Sequence, residues 1–425
     1  MKLMKTVLFA SAAFLAATAA QATELNIWGL QAFNKQADAL IKEMAEKFGE
    51  ENGVDVNYVI VPANVLTQRL ASAFEGKSSP DVFMQLGQNS QYYAANGMTM
   101  PIDDVLASMR ENEGGIYESM VPQAIYQNEA HSVPIEIDLV PMFARKDLLK
   151  EAGVEVPATW QDLRKASQAI IKAHPQYMGL GITLSSSNDA ESALRMLIWS
   201  FGGAMFGQDS STITWNSPET VSAYQYIKDM FDEGTIPRSA LTWDDGGNNT
   251  AYQTGRAAFI MNPPSVYSWM VENDKELLED TDLINIPAGQ AGGESGATLL
   301  GSFSWMVSSQ TEEADLAKKW IDYFFKPEAY QKLIEVTGGR WYPIFPQMAK
   351  SMPLFTENPS FANFDALATN GKTIGYSGAP TPLASKVYAS KTISTSIQKM
   401  LVDGMSPQEA VVWAADEIAK LAQEK

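Results

Sequence analysis

ELNIW at Glu24–Trp28, QADALIKEMAEKF at Gln36–Phe48 and VDVNYVIV at Val54–Val61 are the runs on which the fold turns. The first alternates apolar and polar residues as a short strand does. The second puts Leu40, Ile41, Met44, Ala45 and Phe48 at helical spacing, with charges on the other face. Gly53 stops that helix, and the third run alternates as a second strand. A further helix covers Val65 to Phe74 with Gly76 beyond its end, and Pro80-Asp81-Val82-Phe83-Met84 reads as a short buried strand. Strands alternating with helices predict an α/β fold, a parallel sheet with helices on both faces. Ligands of such sheets bind at the carboxyl ends of the strands, where the loops Gly29–Asn34 and Leu86–Ser90 lie.

The second half continues the alternation without a sequence repeat. Thr159 caps a helix through Ala173, and Ser217-Pro218 opens another that Gly234 ends. Ser406-Pro407-Gln408-Glu409 is a capping box at the start of the last helix. The loops Gly289 to Gly296 and Tyr376 to Pro382 are rich in glycine and proline, and no low-complexity linker divides the chain. Two interleaved lobes with several crossings fit this pattern better than two domains in series.

Residues 1–22 form a unit of another kind. Lys2 and Lys5 precede an apolar run from Val7 to Ala20, and Ala20-Gln21-Ala22 is an A-x-A cleavage site. The run is shorter than the ~20 residues that span a bilayer, so the segment reads as a cleavable secretory signal peptide. No cysteine follows it, which rules out a lipid anchor on a new N-terminal Cys. The expected destination is the periplasm, with a mature chain beginning at Thr23.

Composition excludes several classes of function. The 425 residues carry 31 Lys+Arg against 50 Asp+Glu, a formal net charge of -19. Such a surface repels phosphate backbones and anionic lipids, so neither nucleic acid nor a membrane surface is an expected partner. With no cysteine, the chain has no disulfide, thiolate nucleophile or Cys-ligated metal. Only His131 and His174 are present, too few for a multi-histidine metal site. No cofactor is expected.

Seven short segments, in this order along the chain, resemble the extracellular solute-binding proteins of ABC importers, in the large carbohydrate-type, maltose-binding-protein-like group. Val133-Pro134-Ile135-Glu136-Ile137-Asp138, Lys146-Asp147-Leu148 and Pro157-Ala158-Thr159-Trp160 are similar to the family's first lobe crossing. Thr254-Gly255-Arg256-Ala257-Ala258-Phe259-Ile260-Met261-Asn262 is similar to its signature helix end and buried strand. Phe325-Lys326-Pro327-Glu328-Ala329, Thr337-Gly338-Gly339-Arg340 and Met405-Ser406-Pro407-Gln408-Glu409-Ala410 complete the set. The chain departs from the family pattern at Ala144-Arg145, at Pro263-Pro264-Ser265, where a sugar-stacking tryptophan is common, and at Trp341.

The resemblance implies a two-lobed periplasmic binding protein fold, each lobe a mostly parallel sheet flanked by helices, with a hinge and a ligand cleft between them. It divides the chain into a signal peptide (1–22), an N-lobe (23–137 and 301–337) and a C-lobe (138–300 and 338–425). It also implies a receptor that captures a sugar, polyol or sugar derivative and delivers it, as a monomer, to an inner-membrane permease with a cytoplasmic ATPase. No catalytic residue is expected.

A cleft for such a ligand needs flat aromatic faces and planar polar groups, because a buried hydroxyl left unpaired costs ~1–3 kcal/mol. Gln31 and Asn34 in the first strand-to-helix loop are candidates, or simply solvated amides. Gln88 and Asn89 occupy the loop where related sugar binders carry polar groups. Asp138 stands in an apolar run at the first crossing, where a charge must face the cleft or be paired. Ser187 and Asn188 are a helix cap or a cleft wall, and Trp243 beside Asp244 is an aromatic next to a carboxylate. Tyr267 and Trp269 are possible substitutes for the missing tryptophan. Gly339, Arg340 and Trp341 combine close backbone approach, a forked donor and a stacking face. Arg340 also admits an anionic ligand, a glycerophosphodiester or a sulfonated sugar. A glycoside hydrolase is the remaining alternative, but 50 acidic residues always offer some pair, and neither G-x-S-x-G nor H-E-x-x-H occurs.

Overall fold

The computed structural model describes residues 23–112, 114–289, 296 and 298–424. The expected signal peptide at 1–22 and most of the loop Gly289–Gly296 lie outside the described residues. Two sheets organise the rest. The first has five strands in the order Asp55–Val61, Glu24–Leu30, Val82–Leu86, Phe303–Val307, Val133–Pro134. The second has four, in the order Thr281–Ile284, Met142–Arg145, Ala257–Met261, Met178–Gly181.

Local signals set the element boundaries. In the helix Lys35–Asn52, Ala37, Ile41, Met44, Ala45 and Phe48 are buried, and Phe48 meets Trp320 edge-on at 5.7 Å. Asn34 caps its start, and Gly53 ends it in the left-handed region at φ 66°. The expected helices at Trp160–Ala173 and Pro218–Asp232 form, capped by Thr159 and Ser217. Ser406 and Glu409 make the reciprocal capping box of the helix Pro407–Gln423.

The strand pairing corrects one expectation: the sheets are mixed, not mostly parallel. Glu24–Leu30 runs parallel to Asp55–Val61 and to Val82–Leu86. Phe303–Val307, however, is antiparallel to both Val82–Leu86 and Val133–Pro134. In the second sheet only Met178–Gly181 against Ala257–Met261 is parallel. The crossings explain this. Phe303–Val307 is entered from the second sheet, so it runs opposite to strands reached through a local helix. The expected loop Gly29–Asn34 also begins later, because Gly29 and Leu30 still pair with Ile60 and Val61.

The chain leaves the first sheet at Pro134 for the second at Met142, and returns between Ile284 and Phe303. These crossings lie side by side with a third segment at Tyr342. Ile137 N–H donates to Tyr342 O at 2.8 Å, and Asp138 N–H to Gly301 O at 2.8 Å. One apolar cluster runs from the first sheet through Trp341, Phe355 and Phe364 to Phe143 and Ile260 on one face of the second sheet. Met142, Ala144, Phe259 and Met261 point the other way, into a cluster shared with the C-terminal helices. The two clusters hold the sheets on either side of the crossings and so frame the cleft.

Candidate functional site

The cleft has two connected compartments. The inner one is lined by Leu30, Phe33, Leu86 and Gln88 at the carboxyl ends of first-sheet strands. Asp138, Gly301, Phe303 and Arg340 line it from the crossings, and Asp189, Asn249, Asn262, Ser265 and Tyr388 from the second lobe. The outer compartment is lined by Asn89, Ser187, Trp243, Asp244 and Lys391, and Ala63, Asn188 and Asp245 border both.

Asp138 and Arg340 form an ion pair on the inner wall, with Arg340 Nη2 a further 3.4 Å from Asp138 Oδ2. Arg340 Nε is buried and has no partner. Behind the pair, Glu136 accepts the Phe303 N–H at 2.6 Å through Oε1, while its Oε2 is unpartnered. Burial, reinforced by the Asp138 charge, raises Glu136 well above the usual carboxylate range. Burial raises Asp138 as well, against the opposing pull of Arg340.

On the opposite wall, Ser187 caps the helix Asn188–Ser200 by accepting the Ala190 N–H at 3.2 Å. This fixes Asn188, whose Nδ2 donates to Asp245 at 3.3 Å, and Asp189, whose N–H donates to Asp245 at 3.0 Å. The Asp189 carboxylate accepts from Asn248 Nδ2 at 2.9 Å and from the Thr183 hydroxyl at 3.2 Å. Burial and the Asp245 charge raise its carboxyl well above the usual range. Lys391 donates to Asn188 Oδ1 and to Tyr388 O, and burial pulls its ammonium down to about 8.

Three further buried polar atoms, on residues that line the cleft, lack partners: Gln88 Oε1, Asn89 Oδ1 and Asn249 Oδ1. Gln88 and Asn89 are buried residues, so each oxygen forfeits a hydrogen bond that a ligand donor would supply.

The structure brings Gln88, Asn89, Asp138, Ser187, Asn188, Trp243, Asp244 and Arg340 together at this cleft. Gln31, Asn34, Tyr267, Trp269, Gly339 and Trp341 do not line it. Gln31 gives its N–H to Val61 O at 3.2 Å. Asn34 is spent on the helix cap, accepting the Gln36 and Ala37 N–H groups. Tyr267 packs against Phe361 at 5.0 Å and holds Asn358 through its hydroxyl at 2.7 Å. Trp269 lies against the first apolar cluster. Trp341 is fully buried, edge-on to Phe303 at 5.7 Å. At Gly339, φ 92°, a Cβ would stand 2.3 Å from the Phe361 ring, so this glycine makes room for an aromatic and not for a ligand. Pro263 and Ser265 also line the cleft.

Phe33, Asp189, Asn249, Asn262, Tyr388 and Lys391 line the cleft without having been singled out by sequence. Asp189 follows two residues that were, and Phe33 sits beside Ala32 between the polar Gln31 and Asn34. Tyr388, in the helix Pro382–Ala389, and Lys391, just before the next helix, lie some 200 positions after the Asn188 they contact and carry no local signal. Among the described residues no group of three or more metal-ligating side chains gathers, and no helix is long and apolar enough to cross a membrane.

Three comparisons bear on this architecture. A solute-binding protein from Thermotoga lettingae, solved with α-D-tagatose, superposes with a TM-score of 0.81 at 19% identity, covering 94% of this chain and 99% of that one. A sugar transporter protein from Arthrobacter chlorophenolicus, solved with laminaribiose, gives 0.83 at 20% identity over 93% and 99%. The maltodextrin-binding protein MdxE of Bacillus subtilis is 26% identical over 293 residues, 67% of this chain and 65% of that protein. These likenesses match the fold described above, and the sequence pattern of the bacterial extracellular solute-binding proteins matches residues 33–331. The chain belongs to that family.

Proposed function

We propose that this protein is the receptor of an ABC importer for a neutral, hydroxyl-rich carbohydrate, held between the two lobes and released unchanged. The observation that carries the reading is the set of buried, unpartnered polar atoms on residues that line the cleft: Gln88 Oε1, Asn89 Oδ1 and Arg340 Nε. Each lacks a hydrogen bond that a sugar hydroxyl, donor and acceptor at once, would complete. The relatives solved with tagatose and laminaribiose, and the maltodextrin-binding protein, are in keeping with that ligand class.

The charges disfavour the anionic alternative. Arg340 is committed to Asp138. Asp138, Asp244 and Asp245 face the same space as the two cations Arg340 and Lys391. A phosphorylated or sulfonated solute would enter against a carboxylate majority.

In this reading residues 1–22 direct export to the periplasm and are removed. The lobes 23–137 with 301–337, and 138–300 with 338–425, close on the ligand as a monomer, and a membrane permease with its ATPase accepts the closed form. Closure from a 1:99 to a 99:1 population takes ~5.5 kcal/mol of differential affinity, which the completed polar contacts would supply. A thermal-shift screen with neutral sugars, polyols, sugar acids and sugar phosphates tests the reading, because a ligand of the native state raises Tm. A rise with a neutral sugar, followed by its chromatographic recovery intact, is the expected result. A rise confined to anionic solutes, or recovery of cleaved sugar, would overturn it.

A further inference from the structure

Phe33 is the one exposed aromatic side chain among the described residues, at 36% of its full accessibility. Its backbone lies in the left-handed region, φ 55°, which a bulky side chain enters only against steric resistance. Glycine or asparagine would occupy this position without strain.

The surrounding loop is anchored on both sides of it. Ala32 is fully buried, and its N–H donates to the Asp38 carboxylate at 2.9 Å. Asn34 accepts two helix N–H groups and donates through Nδ2 to Val336 O at 3.2 Å. Between these fixed neighbours the Phe33 ring lines the inner compartment together with Gln88, Asp138 and Arg340. Strained backbone persists where its surroundings over-determine it, and such positions cluster at ligand sites.

We propose that Phe33 is a strained stacking platform, whose ring covers the apolar face of a cyclic sugar while the polar wall takes its hydroxyls. This rests on the carbohydrate reading above and narrows it. A flat ring presents a CH face to an aromatic, whereas an open-chain alditol offers no such face and loses more conformational freedom on binding. The cleft therefore prefers ring sugars to the corresponding alditols.

The test uses the mature protein, with glucose, xylose, maltose, cellobiose and laminaribiose as ring probes and sorbitol and xylitol as the open-chain counterparts of glucose and xylose. Calorimetric Kd and sugar-free Tm are measured for wild type, Phe33→Asn and Phe33→Tyr. Phe33→Asn should melt above wild type without sugar, because strain is relieved, and bind the best ring probe about tenfold or more weakly. Its binding of the alditols should be unchanged, and Phe33→Tyr should bind as wild type does. Equal affinity of Phe33→Asn and wild type for the ring probe would overturn the proposal, as would a lower sugar-free Tm, which would make the ring a packing residue. Failure of every probe to bind wild type would overturn the carbohydrate reading and this proposal with it.

Discussion

Arg340 pairs with Asp138 across 202 residues of sequence, on the inner wall of the cleft and at the segments where the chain passes between its two sheets. Asp138, only partly exposed, would otherwise be an unpaired charge beside the fully buried Glu136. The pair therefore ties a crossing to the ligand wall, and each partner makes the other tolerable.

Replacing one partner and then both separates the two roles. Arg340→Ala should cost about 3–5 kcal/mol in urea denaturation, the usual loss when a buried pair is broken, and abolish sugar binding. Combining Asp138→Leu with Arg340→Met should recover most of the stability and none of the binding. Recovery of both would show that the pair only packs.

The pH dependence of stability has a definite sign. Glu136, Asp138 and Asp189 all have carboxyls raised chiefly by burial. As pH rises from the ordinary carboxylate range toward their raised values, the unfolded chain has released protons that the native chain still holds. Stability from these groups is thus full at low pH and falls through that window, by up to about 1.4 kcal/mol per pH unit for each proton. Glu136→Gln keeps an acceptor for the Phe303 N–H and removes one titration. Melting curves from pH 5 to 8.5 should fall less steeply for the variant than for wild type, and parallel slopes would refute the assignment.

Gln88 should behave as a ligand contact and not as a structural one. Its Oε1 has no partner to lose, so Gln88→Ala should leave sugar-free stability within about 1 kcal/mol while weakening sugar binding about tenfold. Paired chemical denaturation and calorimetry read both effects. A large stability loss with unchanged affinity would reverse the assignment.

Asn34 should show the opposite pattern. It caps the helix Lys35–Asn52 and tethers it to Val336, so Asn34→Ala should cost about 1–2 kcal/mol of stability. Affinity of the folded variant, measured by calorimetry well below its Tm, should match wild type.

What was legible in the sequence follows the range of the interactions. Gly53, Ser217-Pro218 and Ser406 act within a few residues, and the helices they bound stand where their signals put them. The direction of Phe303–Val307 is set by where the chain re-enters the first sheet, which no local pattern encodes. Asp138 and Arg340 were each conspicuous alone, a charge in an apolar run and an arginine after two glycines, but their pairing is tertiary. Trp341 and Tyr267 have the chemistry of stacking residues, and only the placement of Phe303 and Phe361 turns them into core. Phe33 was hidden for the converse reason. An apolar residue in a loop gives no hint of a left-handed backbone or of a cleft beside it.

The central claim is that neutral carbohydrate binds against the Asp138–Arg340 wall. Isothermal titration of wild type and Asp138→Asn with neutral sugars and with their phosphorylated or sulfonated counterparts tests it most directly. The account predicts that wild type binds a neutral sugar, that Asp138→Asn loses that binding, and that neither protein binds the anionic series. Neutral-sugar binding indifferent to Asp138→Asn, or wild-type binding confined to the anions, would contradict it.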